Sequence, residues 1–191
     1  MNKVHLAVPI GFMLAASIIM PQPAAAARDL SYLREYVQSD DQDTLVDEVA
    51  GITAAFFGES KDPYTKEPMK KQVTAMLFWG GADDFILVRD RYLLKTGCRQ
   101  HMRTSKGFVM IDLQGDSVAY AIMLDEIVYL ENGRPFLSVF FRKGTPAAFQ
   151  SAALEQIEEW LTMVDIKDTL QHFKPRDYSS LKPHIIMLNT P

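Results

Sequence analysis

The sequence predicts an α+β domain: an antiparallel β meander of about five strands, with N-terminal helices and a C-terminal helix packed on the sheet. Three observations carry this. Apolar residues recur at helical spacing near both ends, the middle consists of short β-rich runs, and those runs are separated by turns too short for the helical crossovers of a parallel sheet.

The first 26 residues read as a separate unit. Lys3 precedes an uncharged apolar run from Leu6 to Met20, followed by Pro21-Gln22-Pro23 and the alanines Ala24 to Ala27. A short basic start, an apolar stretch and small residues before a cut form the pattern of a secretory signal peptide. The expectation is residues 1–26 removed after Ala26 and a periplasmic location. No stable membrane anchor is expected, because the run is short for a span of about 20 residues and Pro9 and Gly11 interrupt it. Residues 27–173 then form one α+β domain, and residues 174–191, with Pro175 and Pro183, an irregular C-terminal tail.

Within that domain Leu30, Leu33, Tyr36 and Val37 repeat at helical spacing. Asp43 reads as the N-cap of a second helix whose face is Leu45, Val49, Ile52 and Phe56, stopping at Gly58. Residues 59–71, polar and holding Pro63 and Pro68, read as a loop. Val73 to Trp79 reads as a strand ending at Gly80-Gly81. Asp84 to Arg89 and Tyr92 to Thr96 follow, read as one strand with a bend, then Gly107 to Leu113 and the turn Gln114-Gly115-Asp116. Ser117 to Leu124 is nearly all apolar and reads as central in the sheet. Ile127 to Leu130 leads into Asn132-Gly133, which tolerates the two positive φ angles of a type I′ turn, and Pro135 to Phe141 returns antiparallel. Thr145 reads as an N-cap with Pro146 in the first helical position. Phe149, Ala153, Ile157, Trp160 and Leu161 form that helix's apolar stripe, and Asp168 to Phe173 a further short helix. The aromatics Phe56, Phe57, Phe78, Trp79, Phe140, Phe141 and Trp160 read as core.

Charge and chemistry exclude several functions. The net charge is −4, and loss of Lys3 with the leader takes it to −5. Such a chain lacks the clustered cations that phosphate backbones demand, so no nucleic acid partner is expected. Gly80-Gly81 has no following Lys-Ser/Thr and is no phosphate loop. Cys98 and His101, even joined by His172 or His184, supply only part of a tetrahedral metal site, so neither metal nor cofactor is expected. The acidic pairs Asp40-Asp41, Asp83-Asp84, Asp125-Glu126 and Glu158-Glu159 read as turn, cap and solvated positions. An enzyme is not expected. The alternative from that class is a small thiol hydrolase using Cys98 with His101 as base, for which no third residue can be assigned. Cys98 is the only cysteine, so it is either a buried thiol or one able to join two chains into a homodimer.

The stretch Gly97-Cys98-Arg99-Gln100-His101-Met102-Arg103-Thr104-Ser105-Lys106-Gly107 concentrates unusual residues between two strands and reads as a loop. It resembles the exposed loop, Cys-Lys-Pro-His-Asp-Cys, of periplasmic inhibitors of vertebrate-type lysozyme. The resemblance runs from Tyr92 to Tyr120 and includes the strand after the loop, Lys106 to Asp112. It implies a protein-binding domain whose His101 enters a lysozyme-like glycosidase cleft and hydrogen-bonds its two catalytic carboxylates. Imidazole suits that role, because it can donate to one carboxyl and accept from the other near neutral pH. The contact set would be Cys98, Arg99, Gln100, His101, Met102, Arg103 and Lys106. Arg103 stands where the family has its second cysteine and Gln100 where it has proline, so the loop lacks both of the family's stiffening devices. An envelope interaction protein without inhibitory activity is the alternative.

Overall fold

The computed structural model describes residues 29–39, 41–62, 66–80, 84–99, 102–124, 136–172 and 178–189. The elements are α1 (Leu33–Gln38), α2 (Gln42–Phe57), α3 (Met69–Phe78), β1 (Ile86–Val88), β2 (Tyr92–Arg99), β3 (Met102–Asp112), β4 (Val118–Leu124), β5 (Phe136–Arg142), α4 (Ala147–His172) and β6 (Pro183–Leu188). The predicted α+β class holds. The strands form one six-stranded sheet in sequence order. β1 to β5 pair antiparallel, as a meander should, whereas β6 pairs parallel to β5 after the α4 crossover. The leader residues 1–26 and the Asn132-Gly133 turn lie outside the described residues. Among the described residues no helix is long and apolar enough to cross a membrane.

Side-chain alternation along each strand gives the sheet two apolar faces. Leu93, Val109, Ile111, Tyr120, Ile122 and Phe140 point to one face and pack against α1, α2 and α3 through Leu33, Leu45, Val49, Phe57, Val73 and Leu77. Their neighbours Leu94, Phe108, Met110, Ala121, Val139 and Phe141 point to the other, under α4. All seven residues of β4 are buried, which fits a strand with neighbours on both sides and helices on both faces. The α4 stripe is the predicted one, with Phe149, Ala153, Ile157, Trp160 and Leu161 all buried.

Several expectations are corrected. Val73 to Trp79 is helical, not a strand: α3 starts at Met69, inside the supposed loop, and buries Met69, Val73, Met76 and Leu77 on one face. Trp79 is therefore the residue that ends a helix rather than a core strand residue, and it is 58% exposed. The N-cap of α2 is Asp41, whose carboxylate accepts from Thr44 N at 3.1 Å, and not Asp43. Residues 84–96 form two strands: Arg89 and Asp90 take φ of 50° and 53°, and Arg91 N donates to Val88 O across them, closing a tight turn. Thr145 does not cap α4; its hydroxyl donates to Arg142 O at 2.7 Å, and the helix runs unbroken to His172 without the separate segment expected at 168–173. The tail is not irregular throughout. Pro183 opens β6, which proline permits at the first residue of an edge strand.

The far end of the β2–β3 ladder is closed by a buried acid. Arg91 donates to Asp112 through Nε at 2.9 Å and Nη2 at 2.7 Å, and Gln114 N donates to the same carboxylate at 3.0 Å. The hydrogen bonds that Arg91 donates to Asp112 hold its guanidinium pKa above the ordinary value.

Candidate functional site: the bulged end of the β2–β3 hairpin

The segment read as a loop is mostly paired strand. Gly97 pairs with Gly107 and Cys98 with Lys106, and the ladder resumes only at Arg99 with Met102. Between those two pairs β3 carries Arg103, Thr104 and Ser105, while β2 carries nothing. Such an excess on one strand is a bulge, which bends the strand and redirects the side chains beyond it. The connection itself shortens to Gln100 and His101, which lie outside the described residues.

Two glycines explain why this hairpin is firmly seated. Gly97 and Gly107 face each other beneath the end of α3. A Cβ on Gly97 would sit 2.5 Å from Met76 O, and one on Gly107 would sit 2.9 Å from Met76 Cβ. Their role is close approach of a helix to the sheet and not flexibility in a loop. Lys95, two residues before Gly97 on the same face, is buried with its Nζ 4.4 Å from the Phe85 ring centroid and 5.7 Å from that of Phe78. The aromatic faces stabilise the ammonium there. α3 thus clamps the inner side of the hairpin at Gly97 and Gly107.

The sequence-predicted residues are distributed as follows. Cys98 is half-buried and joins no disulfide. Strand alternation turns it to the α4 side, in the row that includes Leu94 and Thr96. Lys106, its cross-strand partner, is half-buried in the same way and lies two residues before Phe108, whose ring packs at 5.5 Å from Trp160 of α4. Arg99 is half-buried at the last paired position of β2. Met102 and Arg103 belong to β3 by backbone. The structure brings Cys98 and Lys106 together as neighbours across the ladder. Sequence reasoning missed the glycine pair and the fully buried Ser105 in the bulge; the equal placing of Gly97 and Gly107 about the reversal was the available signal. Among the described residues no group of three or more His, Cys, Asp or Glu is placed to hold a metal ion.

No protein-family model, curated protein or solved structure matches this chain.

Proposed function

We propose that this chain is an exported, non-enzymatic protein-binding domain that meets its partner with the end of the β2–β3 hairpin. The observation that supports this reading most is the combination of a bulged, cation-bearing hairpin end with a base stiffened by the Gly97–Gly107 contact against α3. Fixing the base of the hairpin lowers the entropy lost on binding, a part that the disulfide plays in the lysozyme-inhibitor loop it resembles. Arg99, Arg103 and Lys106 give the hairpin end a positive character on a net acidic chain. That arrangement suits an acidic groove set in a basic partner, such as the cleft of a lysozyme-like glycosidase with its two carboxyls. His101 would supply the hydrogen bonds to them.

The test is titration of the purified protein into a vertebrate-type lysozyme assay. Inhibition is expected, weakened about tenfold or more by His101→Ala, the loss of one charge-assisted hydrogen bond at a desolvated site. Absence of inhibition at high micromolar concentration would end the lysozyme reading. Export is checked separately by fractionating expressing cells and reading the N-terminus of the periplasmic product, expected at Ala27. An uncleaved chain retained in the cytoplasm would contradict it.

A further inference from the structure

The opposite end of the sheet carries a second feature that the hairpin reading does not use. A cleft of ≈ 210 Å³ opens where the last turn of α2, the start of β4 and the end of β5 meet. Its apolar wall comes from Leu30, Ile52, Phe56 and Val118, and its polar side from Asp116, Ser117, Arg142, Lys143 and Thr145.

Arg142 is the central group. It is the last residue of β5, on the face covered by α2, and its guanidinium lies 5.3 Å from the Phe56 ring centroid. Nη2 donates to Ala55 O at 2.5 Å, so part of its hydrogen-bonding capacity closes the C-terminal turn of α2. Its Nε is buried and has no hydrogen-bond partner. An unsatisfied buried donor on a charged group is costly and rare in native proteins; Nε itself has no open surface, so an acceptor entering the cleft meets the guanidinium through its remaining Nη donors. The corner around it is fixed. Thr145 Oγ1 donates to Arg142 O at 2.7 Å, Gln150 Nε2 donates to Thr145 O at 2.8 Å, and Lys143 N donates to Leu188 O at 2.8 Å. Lys143 and Asp116 are both exposed at the rim.

We propose that this cleft binds a small monocarboxylate carrying a short apolar chain. The carboxylate takes up the remaining donor capacity of Arg142 together with Lys143, and the chain lies along Phe56 and Ile52. Arg142 and Lys143 set against the Asp116 carboxylate leave the cleft one positive charge to neutralise, which favours a monoanion over a dianion. The volume is below the ~300 Å³ at which drug-sized ligands begin to fit, which restricts the chain to a few carbons or one ring.

The Nε–H resonance of Arg142, assigned by its disappearance in Arg142→Lys, reports on the site directly in ¹⁵N–¹H spectra. Titration of the purified protein with hexanoate should shift it saturably at about millimolar affinity. Acetate, which has the head without the chain, and hexylammonium, which reverses the charge, should each bind about tenfold more weakly or worse. Lys143→Gln leaves the fold intact because its side chain is exposed, and it should weaken hexanoate several-fold, whereas Asp116→Asn should tighten it. The proposal is overturned by a shift that does not saturate by about 10 mM, by acetate or hexylammonium matching hexanoate, or by Lys143→Gln binding hexanoate as the unaltered protein does.

Discussion

On one face of the sheet three short helices are located by polar anchors and a glycine contact; on the other, one long helix rests on apolar side chains. Against α1–α3, the buried Tyr120 hydroxyl donates to Thr53 Oγ1 at 2.8 Å, and Thr53 Oγ1 in turn donates to Val49 O at 2.8 Å. Arg142 reaches Ala55 O, and Gly97 and Gly107 admit the backbone of α3. Under α4, Phe149, Ala153, Ile157, Trp160, Leu161 and Val164 meet Leu94, Phe108, Met110, Ala121 and Phe141. The polar contacts of α4 lie at its margins: Arg89 with Glu155 at 3.1 Å in solvent, and Asp165 accepting from Tyr178 N and Ser179 N. Directional bonds and a steric fit specify one position for a helix. Apolar burial supplies most of the free energy but tolerates repacking.

The largest expected effect lies on the apolar α4 face. Trp160→Ala removes the ring that packs on Phe108 and should cost about 3–5 kcal/mol in a denaturant titration; a loss below about 1 kcal/mol would mean that α4 contributes little. Gly97→Ala should cost about 3 kcal/mol, the upper part of the overpacking range, because Met76 O is backbone and cannot swing aside. Gly51→Ala is its control. That position is exposed within α2 and a Cβ there meets nothing within 4 Å, so the same change should stabilise by about 0.5–1 kcal/mol. If both glycine variants behaved alike, the close approach of α3 would be no constraint.

The smallest expected effect belongs to the Tyr120 hydroxyl and depends on pH. Tyr120→Phe should cost about 1 kcal/mol at neutral pH, the worth of one buried neutral hydrogen bond. Burial raises the Tyr120 pKa well above the ordinary 10.0. Below that value the phenol is neutral in both states and its contribution is complete. As pH rises past it the unfolded chain loses a proton that the folded chain retains, so stability falls by up to about 1.4 kcal/mol per pH unit. Unfolding of the two proteins compared between pH 9 and pH 11 should converge, since phenylalanine has no proton to lose. Parallel curves would show that Tyr120 ionises as easily folded as unfolded.

What the sequence disclosed follows from which forces are local. The α4 stripe is visible because burial of Phe149, Ala153, Ile157 and Trp160 imposes helical period on the residues themselves. The α3 helix was hidden because Val73 to Trp79, taken alone, is rich in β-branched and aromatic residues. The period appears only once Met69 is included, and Pro63 and Pro68 directed that residue to a loop. β6 was hidden because its partner β5 lies across α4, and parallel pairing leaves no turn signal between them. The hairpin end read as a loop because its residues are polar, whereas its pairing is held by a contact between Gly97 and α3 that composition does not record. The Arg142 cleft depends on Ala55, far away in the chain, and no local pattern announces it.

β6 also acts as a lid on the meander. It covers the free rim of β5, whose Leu137, Val139, Phe140 and Phe141 are buried, and it presents Ile185 and Met187, 43% and 40% exposed, on the α4 side of the sheet. A protease cutting in the connection ahead of Pro183 would strip away this cover and bare an apolar strand with open hydrogen-bonding groups, the template from which cross-strand aggregation starts. Clipping that removes only the last few residues of the fold should therefore cost far more solubility than its length suggests.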